Sequence, residues 1–398
     1  MARRTPNSEL QTPQLKRLVP RLLDWFSANA RDLPWRRTCD PYAIWVSEIM
    51  LQQTQVKTVM PYWERWMREL PTIEAAAKAS PAKIHKLWEG LGYYTRVRNL
   101  QKAAQVIVET HGGKFPESFD EVLALPGIGR YTAGAICSIA FNQPTPILDG
   151  NVIRVLTRIF GIAENPKEKK NNAQLWQLAE GLVAKASKGR DSALRCPDAA
   201  ARRPYHCSYL NQSLMELGAL VCTPRNPQCG ICPVKKLCVA FRESRVEELP
   251  NLGKRKTATV RRFAAFVVEQ DGIFLVRQRP AGIVNAHLWE FPNVEITGVK
   301  SSPKLAAKEI FGITPVRIEP LCTIKHSITR YRITLETFRV QLGGRSSTSS
   351  HSKHSKSGTH ESRPSEKFGV WLTPAKLDSL ALTSAHRKIL KRLDTKAT

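Results

Sequence analysis

The sequence predicts two kinds of folded region in order, a mainly α-helical N-terminal region and then a smaller α+β region. Three observations carry this. Helical periodicity, with N-cap and proline punctuation, runs from Leu18 to about residue 221; alternating strand chemistry appears around Asp271-Gly272; and a mixed-charge stretch rich in turn residues, Glu247-Glu248-Leu249-Pro250-Asn251-Leu252-Gly253-Lys254-Arg255-Lys256, separates the two. At 398 residues the chain is long enough for two or three separate cores.

Residues 1–18 read as a loose basic arm with little to bury. Leu22, Leu23, Trp25 and Phe26 then suit one helix, which Arg31-Asp32-Leu33-Pro34-Trp35-Arg36 breaks. Asp40 as N-cap and Pro41 at the first helical position open the next. That helix carries Ile44, Trp45, Val46, Ile49, Met50, Leu51, Val56, Val59 and Met60, apolar well beyond one stripe, so it is expected to be buried. Pro61, Pro71, Pro81 and the turn Gly90-Leu91-Gly92-Tyr93-Tyr94 punctuate further helices to residue 110. A short helix over 119–125, a Pro126-Gly127-Ile128-Gly129 hairpin and a small-residue helix over 131–141 make a helix-hairpin-helix, and Asp149 caps a helix over 152–160. Residues 186–206 are polar and irregular, a surface loop. A helix over 209–221 feeds into Cys222-x6-Cys229-x2-Cys232-x5-Cys238.

After a linker over 242–262, strands over 263–269 and 273–278 flank Asp271-Gly272, a two-residue hairpin signal. Tyr331, Ile333 and Leu335 mark another strand and Val370-Trp371-Leu372 the last; helices fit 304–310 and 385–393. The Ser/His/Lys-rich stretch 343–366 has almost nothing to bury and is expected to be disordered.

A net charge of +27 and a pI near 10.0 favour a polyanionic partner. Nucleic acid leads, although an acidic membrane surface would answer to the same charge. No run of 18 apolar residues exists, and Met1-Ala2-Arg3-Arg4-Thr5-Pro6-Asn7-Ser8 leads into no apolar segment, so neither a membrane span nor a secretory signal is expected and the chain is placed in the cytoplasm. Nine cysteines, four crowded into 222–238, fit a reduced compartment and a metal site. The single C-x2-C knuckle favours an iron–sulfur cluster over tetrathiolate zinc, which usually has two.

Gly127 and Gly129 let the backbone turn sharply and aim free amide N–H groups at one point, where a phosphodiester fits. Glu48, amid Trp45, Val46, Ile49 and Leu51, is either a general acid with a raised pKa or part of a polar strip with Gln52 and Gln55. Asp149 faces free helix N–H groups, which favour its ionised form; it is a cap, and capping is compatible with catalysis.

Val46-Ser47-Glu48-Ile49-Met50-Leu51-Gln52-Gln53-Thr54-Gln55-Val56, Gly90-Leu91-Gly92-Tyr93-Tyr94-Thr95-Arg96-Val97-Arg98-Asn99-Leu100, Leu125-Pro126-Gly127-Ile128-Gly129-Arg130-Tyr131, Leu148-Asp149-Gly150-Asn151-Val152 and the 6-2-5 cysteine run closely resemble the MutY adenine DNA glycosylases of the endonuclease III superfamily, over about residues 20 to 395. The resemblance implies a glycosylase region over 19–241. Within it, 32–141 would be a six-helix barrel with the helix-hairpin-helix, and 19–31 with 142–241 a helical domain holding a [4Fe–4S] cluster on Cys222, Cys229, Cys232 and Cys238. A Nudix-like 8-oxoguanine-recognition domain would follow over 263–398.

The implied activity is hydrolysis of the N-glycosidic bond of adenine opposite 8-oxoguanine or guanine in double-stranded DNA, by a monomer. Glu48 would protonate the leaving base, Asp149 would stabilise the oxocarbenium-like sugar, and Tyr131 and Asn151 would support them. Bifunctional members carry a lysine where Tyr131 stands; a tyrosine forms no Schiff base, so a monofunctional enzyme is expected. Gln53 and Tyr93 would wedge beside the 8-oxoguanine, Thr54 and Leu91 touch it, and Arg31, Trp35, Leu51 and Glu216 line the adenine pocket. Gly127, Gly129 and Arg130 would grip the backbone. His326-Ser327-Ile328-Thr329-Arg330 departs from the family's Phe-Ser-His loop, with Ile328 left to wedge and Thr329 to hydrogen-bond. Only Glu290, Glu295 and Glu309 lie between Gly282 and Gly312, too few for Nudix hydrolysis. The rival readings are a bifunctional glycosylase/lyase, a non-catalytic damage-binding protein and a nucleotide pyrophosphohydrolase.

Overall fold

The computed structural model describes residues 7–188, 206–253, 257–296, 302–328, 330–343 and 368–394. It divides into two compact units, Met1–Ala79 with Arg96–Arg255, and Ser80–Thr95 with Lys256–Thr398.

In the first unit, α1 (Asn7–Asn29) begins inside the stretch expected to be a loose arm. Leu15, Leu18, Val19, Leu22 and Leu23 recur at helical spacing and face the core, which outweighs Pro13 and Pro20 in that helix. The helix α2 (Pro41–Leu51) starts as read, with the Asp40 carboxylate accepting from Tyr42 N at 3.0 Å and Ala43 N at 3.3 Å. The single helix expected through Met60 is instead two, because the chain turns at Gln53 (φ +56°) before α3 (Val56–Glu69). A short α4 (Ile73–Lys78) follows. After the second unit's α5 (Pro81–Leu87) the first resumes with α6 (Thr95–Thr110), α7 (Phe119–Ala124) and α8 (Arg130–Phe141). Next come α9 (Gly150–Phe160), α10 (Lys169–Ser187), α11 (His206–Leu220) and α12 (Val239–Arg242). Of the expected loop 186–206, Ala186 and Ser187 close α10 and His206 opens α11; 189–205 lies outside the described residues.

Glycine sets the close approaches. A Cβ on Gly134 would meet Pro146 O at 2.2 Å, and one on Gly218 would meet the Asn151 Cβ at 2.7 Å, so α8 reaches the chain at Pro146 and α11 reaches α9 only without side chains there.

The second unit is built on a mixed sheet of β1 (Thr259–Gln270), β2 (Ile273–Gln278), β3 (Trp289–Glu290), β4 (Asn293–Glu295), β5 (Arg317–Ile328), β6 (Tyr331–Gln341) and β7 (Val370–Leu372). Its order is β3-β2-β1-β6-β5, with β4 pairing β1 and β7 pairing β2. The Asp271-Gly272 hairpin forms as read, both residues at positive φ. The first strand starts at Thr259, inside the expected linker, because Thr259–Arg262 continues the parallel ladder to β6. Ala264 to Val268 are all buried, as in a strand covered on both faces. One face packs on α13 (Pro303–Phe311), the other on α14 (Pro374–Ser379) and α15 (Ser384–Asp394). The stretch 343–366 lies outside the described residues, except for Gly343.

Candidate active site

Helix α2 carries Glu48 into the interior of the first unit, where the residue is 5% exposed. Helix α8 brings Tyr131, whose hydroxyl donates to Glu48 Oε2 at 2.9 Å and lies 3.3 Å from Met215 Sδ. Burial pushes the Glu48 carboxyl up to about 7; the Tyr131 hydrogen bond lowers it, the Asp149 charge raises it further and the Arg36 charge lowers it. A carboxyl in that range can hold a proton at neutral pH and give it up.

Asp149, the N-cap of α9, is partly buried. Its Oδ1 accepts from Val152 N at 2.7 Å and its Oδ2 from Asn151 Nδ2 at 3.0 Å. Its pKa is nevertheless raised, burial outweighing those bonds and the Arg154 charge, so the cap does not dominate as expected from sequence. Asn151 is held in turn: its Oδ1 accepts from Arg154 Nη2 at 2.9 Å, while Arg154 also donates to Gly218 O at 2.8 Å and Cys222 O at 2.7 Å. The chain of bonds runs from Asp149 to the backbone of Cys222. Arg154 was not singled out in the sequence; its place three residues after Asn151, on the same helical face, was the available signal.

A second buried carboxylate has the opposite environment. Glu216, on α11 and 1% exposed, accepts from Arg31 N (3.0 Å), Arg31 Nε (2.8 Å) and Nη2 (2.7 Å), and from Arg36 Nη1 (3.1 Å) and Nη2 (3.0 Å). Burial alone would raise its pKa, but the two guanidiniums outweigh it and hold the group at about 2. Arg36 is a further residue that sequence reasoning missed. Trp35 is buried edge-on to Trp63, with ring centroids 6.0 Å apart, and Leu51 closes α2.

Gln53 sits in a left-handed turn, and Thr54 N donates to Leu51 O at 3.2 Å. Gln52 Nε2 reaches Thr132 Oγ1 on α8 at 3.4 Å. Leu91 and Tyr93 belong to the second unit; Leu91 is buried, whereas Tyr93 is 42% exposed at φ +49°. Ile328 ends β5, and Thr329 lies outside the described residues. In the same unit, Glu290 is buried with Arg277 and Arg279 on its carboxylate, and Glu295 is paired with Arg261.

In the hairpin only Gly127 needs glycine for its backbone: its φ is +78°, and a Cβ would meet the Asn99 Cβ at 2.5 Å. Gly129 is extended (φ −102°), and a Cβ there would face open space. No side chain caps α8, so its first amides are unclaimed by a cap. Arg130 donates to Glu180 Oε1 at 2.8 Å and lies 3.9 Å over the Trp176 ring.

Cys222, Cys229, Cys232 and Cys238 line one pocket whose other walls include Val155, Ile159, Leu217 and Val234. Among the described residues no His, Cys, Asp or Glu side chains are gathered as the ligands of one ion would be. Four thiols around a cavity fit a cluster with one metal per cysteine better than a single tetrahedral zinc. Burial pushes the Cys232 thiol up to about 12, so the thiolate form needs cations at its side. Arg158, fully buried, donates to Thr223 O at 2.7 Å and Leu249 O at 2.8 Å, and its Nη1 lies 3.4 Å from Cys222 Sγ. These residues suit an iron–sulfur cluster.

Residues 46–180 match the family model of HhH-GPD superfamily base excision DNA repair proteins, 222–238 the iron–sulfur binding domain of endonuclease III, and 264–392 the NUDIX domain. Adenine DNA glycosylase of Rattus norvegicus is 34% identical over 427 residues, covering 93% of this chain and 76% of that protein. The Homo sapiens protein of that name is 33% identical over 93% of this chain and 72% of its own length; that of Schizosaccharomyces pombe is 34% identical over 73% and 72%. Among solved structures, a thermostable thymine-DNA glycosylase superposes with a TM-score of 0.50 at 29% identity, over 58% of this chain and 99% of that one. A helix-hairpin-helix beside a buried acid and a four-cysteine cluster loop defines a base excision repair protein of the endonuclease III type. Carried through the NUDIX region as well, the likeness is more particular, and the chain belongs to the adenine DNA glycosylase family, whose four cysteines hold a [4Fe–4S] cluster. No helix among the described residues is long and apolar enough to cross a membrane.

Proposed function

We propose that this protein is a monofunctional DNA glycosylase that extrudes adenine from double-stranded DNA and hydrolyses its N-glycosidic bond, the substrate being adenine opposite 8-oxoguanine or guanine. The observation that carries it is the pairing of Tyr131 with Glu48. A buried carboxyl held near 7 is a proton donor for a leaving base, and the hydroxyl beside it occupies the place where a lyase has its amine. Glu48 protonates adenine and then assists the attacking water; Asp149, oriented by Asn151, stabilises the positive sugar.

Extrusion costs a few kcal/mol of unstacking, which side chains entering the gap offset. Gln53, Tyr93 and Ile328 are assigned that work, with Leu91, Thr54 and Thr329 against the 8-oxoguanine. Arg31, Trp35, Leu51 and Glu216 line the pocket for the flipped base. The uncapped start of α8 receives a phosphate, and the open space beside Gly129 leaves room for the backbone to approach, with Arg130 alongside. The [4Fe–4S] cluster, held by Cys222, Cys229, Cys232 and Cys238, cross-links a loop whose Arg225 and Lys236 are exposed. The protein acts as an intracellular monomer.

The test is a duplex with adenine opposite 8-oxoguanine. Base release that appears as strand breaks only after hot alkali supports the reading. Breaks without alkali would sink the monofunctional claim, and release by Glu48→Gln at the wild-type rate would sink the assigned acid.

A further inference from the structure

Helix α2 ends at Leu51 with no basic residue in its last turn. A helix C-terminus presents unsatisfied carbonyls and partial negative charge. Another helix supplies what α2 lacks: Arg96, near the start of α6, aims its guanidinium at this end. Its Nη1 donates to the carbonyls of Ile49 (2.8 Å), Met50 (2.9 Å) and Gln52 (2.6 Å), and its Nη2 lies 3.4 Å from Thr54 Oγ1. Between the last two anchors stands Gln53, at φ +56°, a conformation that residues other than glycine rarely adopt. Such a backbone persists where its surroundings over-determine it, and a guanidinium gripping both sides of the residue does that.

We infer that Arg96 is a positioning residue for base extrusion. By gathering the carbonyls at the end of α2 it holds Gln53 in the left-handed turn from which its side chain enters the duplex, at a fixed separation from Glu48 on the same helix. The planar fork matters as well as the charge, since an ammonium does not spread over acceptors on four residues. This deepens the base-excision reading and rests on it.

The experiment uses the full-length, cluster-loaded protein carrying Glu48→Gln, so that no base is released, and a duplex with 2-aminopurine at the target position opposite 8-oxoguanine. Its fluorescence rises on extrusion. Adding Arg96→Met is expected to lower the extrusion equilibrium about tenfold, the scale of one strained residue set free, and Arg96→Lys to restore only part of it. In protein with Glu48 intact, Arg96→Met should slow single-turnover adenine release by the same factor, leaving the rate per extruded duplex within about twofold, whereas general structural damage would lower that rate too. Extrusion by Arg96→Met equal to that of its parent overturns the inference, as does full recovery by Arg96→Lys. If Arg96→Met fails to fold or to keep its visible cluster absorbance, Arg96→Lys decides alone: weaker extrusion supports the inference and unchanged extrusion overturns it. Failure of the base-excision reading looks different, because the wild type then releases no adenine and the Glu48→Gln parent extrudes nothing.

Discussion

The proton on Glu48 makes a prediction that depends on both its burial and its one hydrogen bond. With a pKa of about 7, the protonated fraction falls from roughly nine-tenths at pH 6 to one-tenth at pH 8, so single-turnover adenine release should drop about tenfold over that interval. Replacing Tyr131 by Phe removes a hydrogen bond that favours the charged carboxylate. A hydrogen bond to a charged group is worth about 1.5–3 kcal/mol and one pKa unit is about 1.4 kcal/mol, so the alkaline limb should move up by about 1 to 2 pH units. The plateau should fall at the same time, since a weaker acid transfers its proton less readily. The assay is base release under enzyme excess from pH 5 to 9, with melting followed in the same buffers to separate chemistry from unfolding. A flat profile, or a limb that moves down in Tyr131→Phe, would refute the assignment of Glu48 as the acid.

Glu216 gives a stability prediction of opposite sign. Its pKa is depressed, to about 2 in the fold against an ordinary 4.5, so its contribution of about 3 kcal/mol is present above pH 4.5 and lost as the pH falls from there towards 2; urea melts of wild type and Glu216→Gln should converge at the acid end. Gly127→Ala should destabilise by about 1–3 kcal/mol in denaturant melts through its left-handed backbone and the contact with Asn99, whereas Gly129→Ala should melt like wild type yet bind duplex DNA more weakly in titrations. Cys232→Ala should lose iron and visible absorbance together; a colourless wild type containing zinc would contradict the cluster assignment.

Much of this architecture was legible because local chemistry and tertiary demand agree. Asp40 and Asp149 cap the helices that they precede, and Asp271-Gly272 turns where such a pair must. The misreadings have identifiable causes. The helix through Met60 breaks at Gln53 because Arg96, more than forty residues away, binds the carbonyls there, and no local propensity reports that. The arm that proved to be α1 hides its apolar face behind Pro13, Lys16, Arg17 and Pro20. Gly127 and Gly129 look equivalent as letters, yet one is required by its own backbone and the other by nothing inside the protein. Arg36 and Arg154 escaped notice together: in a chain with 61 basic residues, arginines that fix buried geometry cannot be told by composition from those that answer to charge.

Two buried glutamates separate the jobs of the site. Glu48 and Glu216 are both nearly inaccessible, and burial pushes both upward. Glu216 meets five donor contacts from Arg31 and Arg36 and stays ionised; it ties the segment after α1 to α11 and, through Arg36, leaves only a modest positive influence on Glu48. Glu48 meets one hydroxyl and the like charge of Asp149, so the low-dielectric surroundings prevail and its proton is available near neutral pH. Environments that drive two like groups apart fit them, under the proposed reaction, to different roles, one a structural anion and one an acid. The same logic favours a neutral hydroxyl at Tyr131 under the proposed reaction: a lysine there would bring a cation towards Glu48, favour its ionised form, and trade proton donation for covalent chemistry.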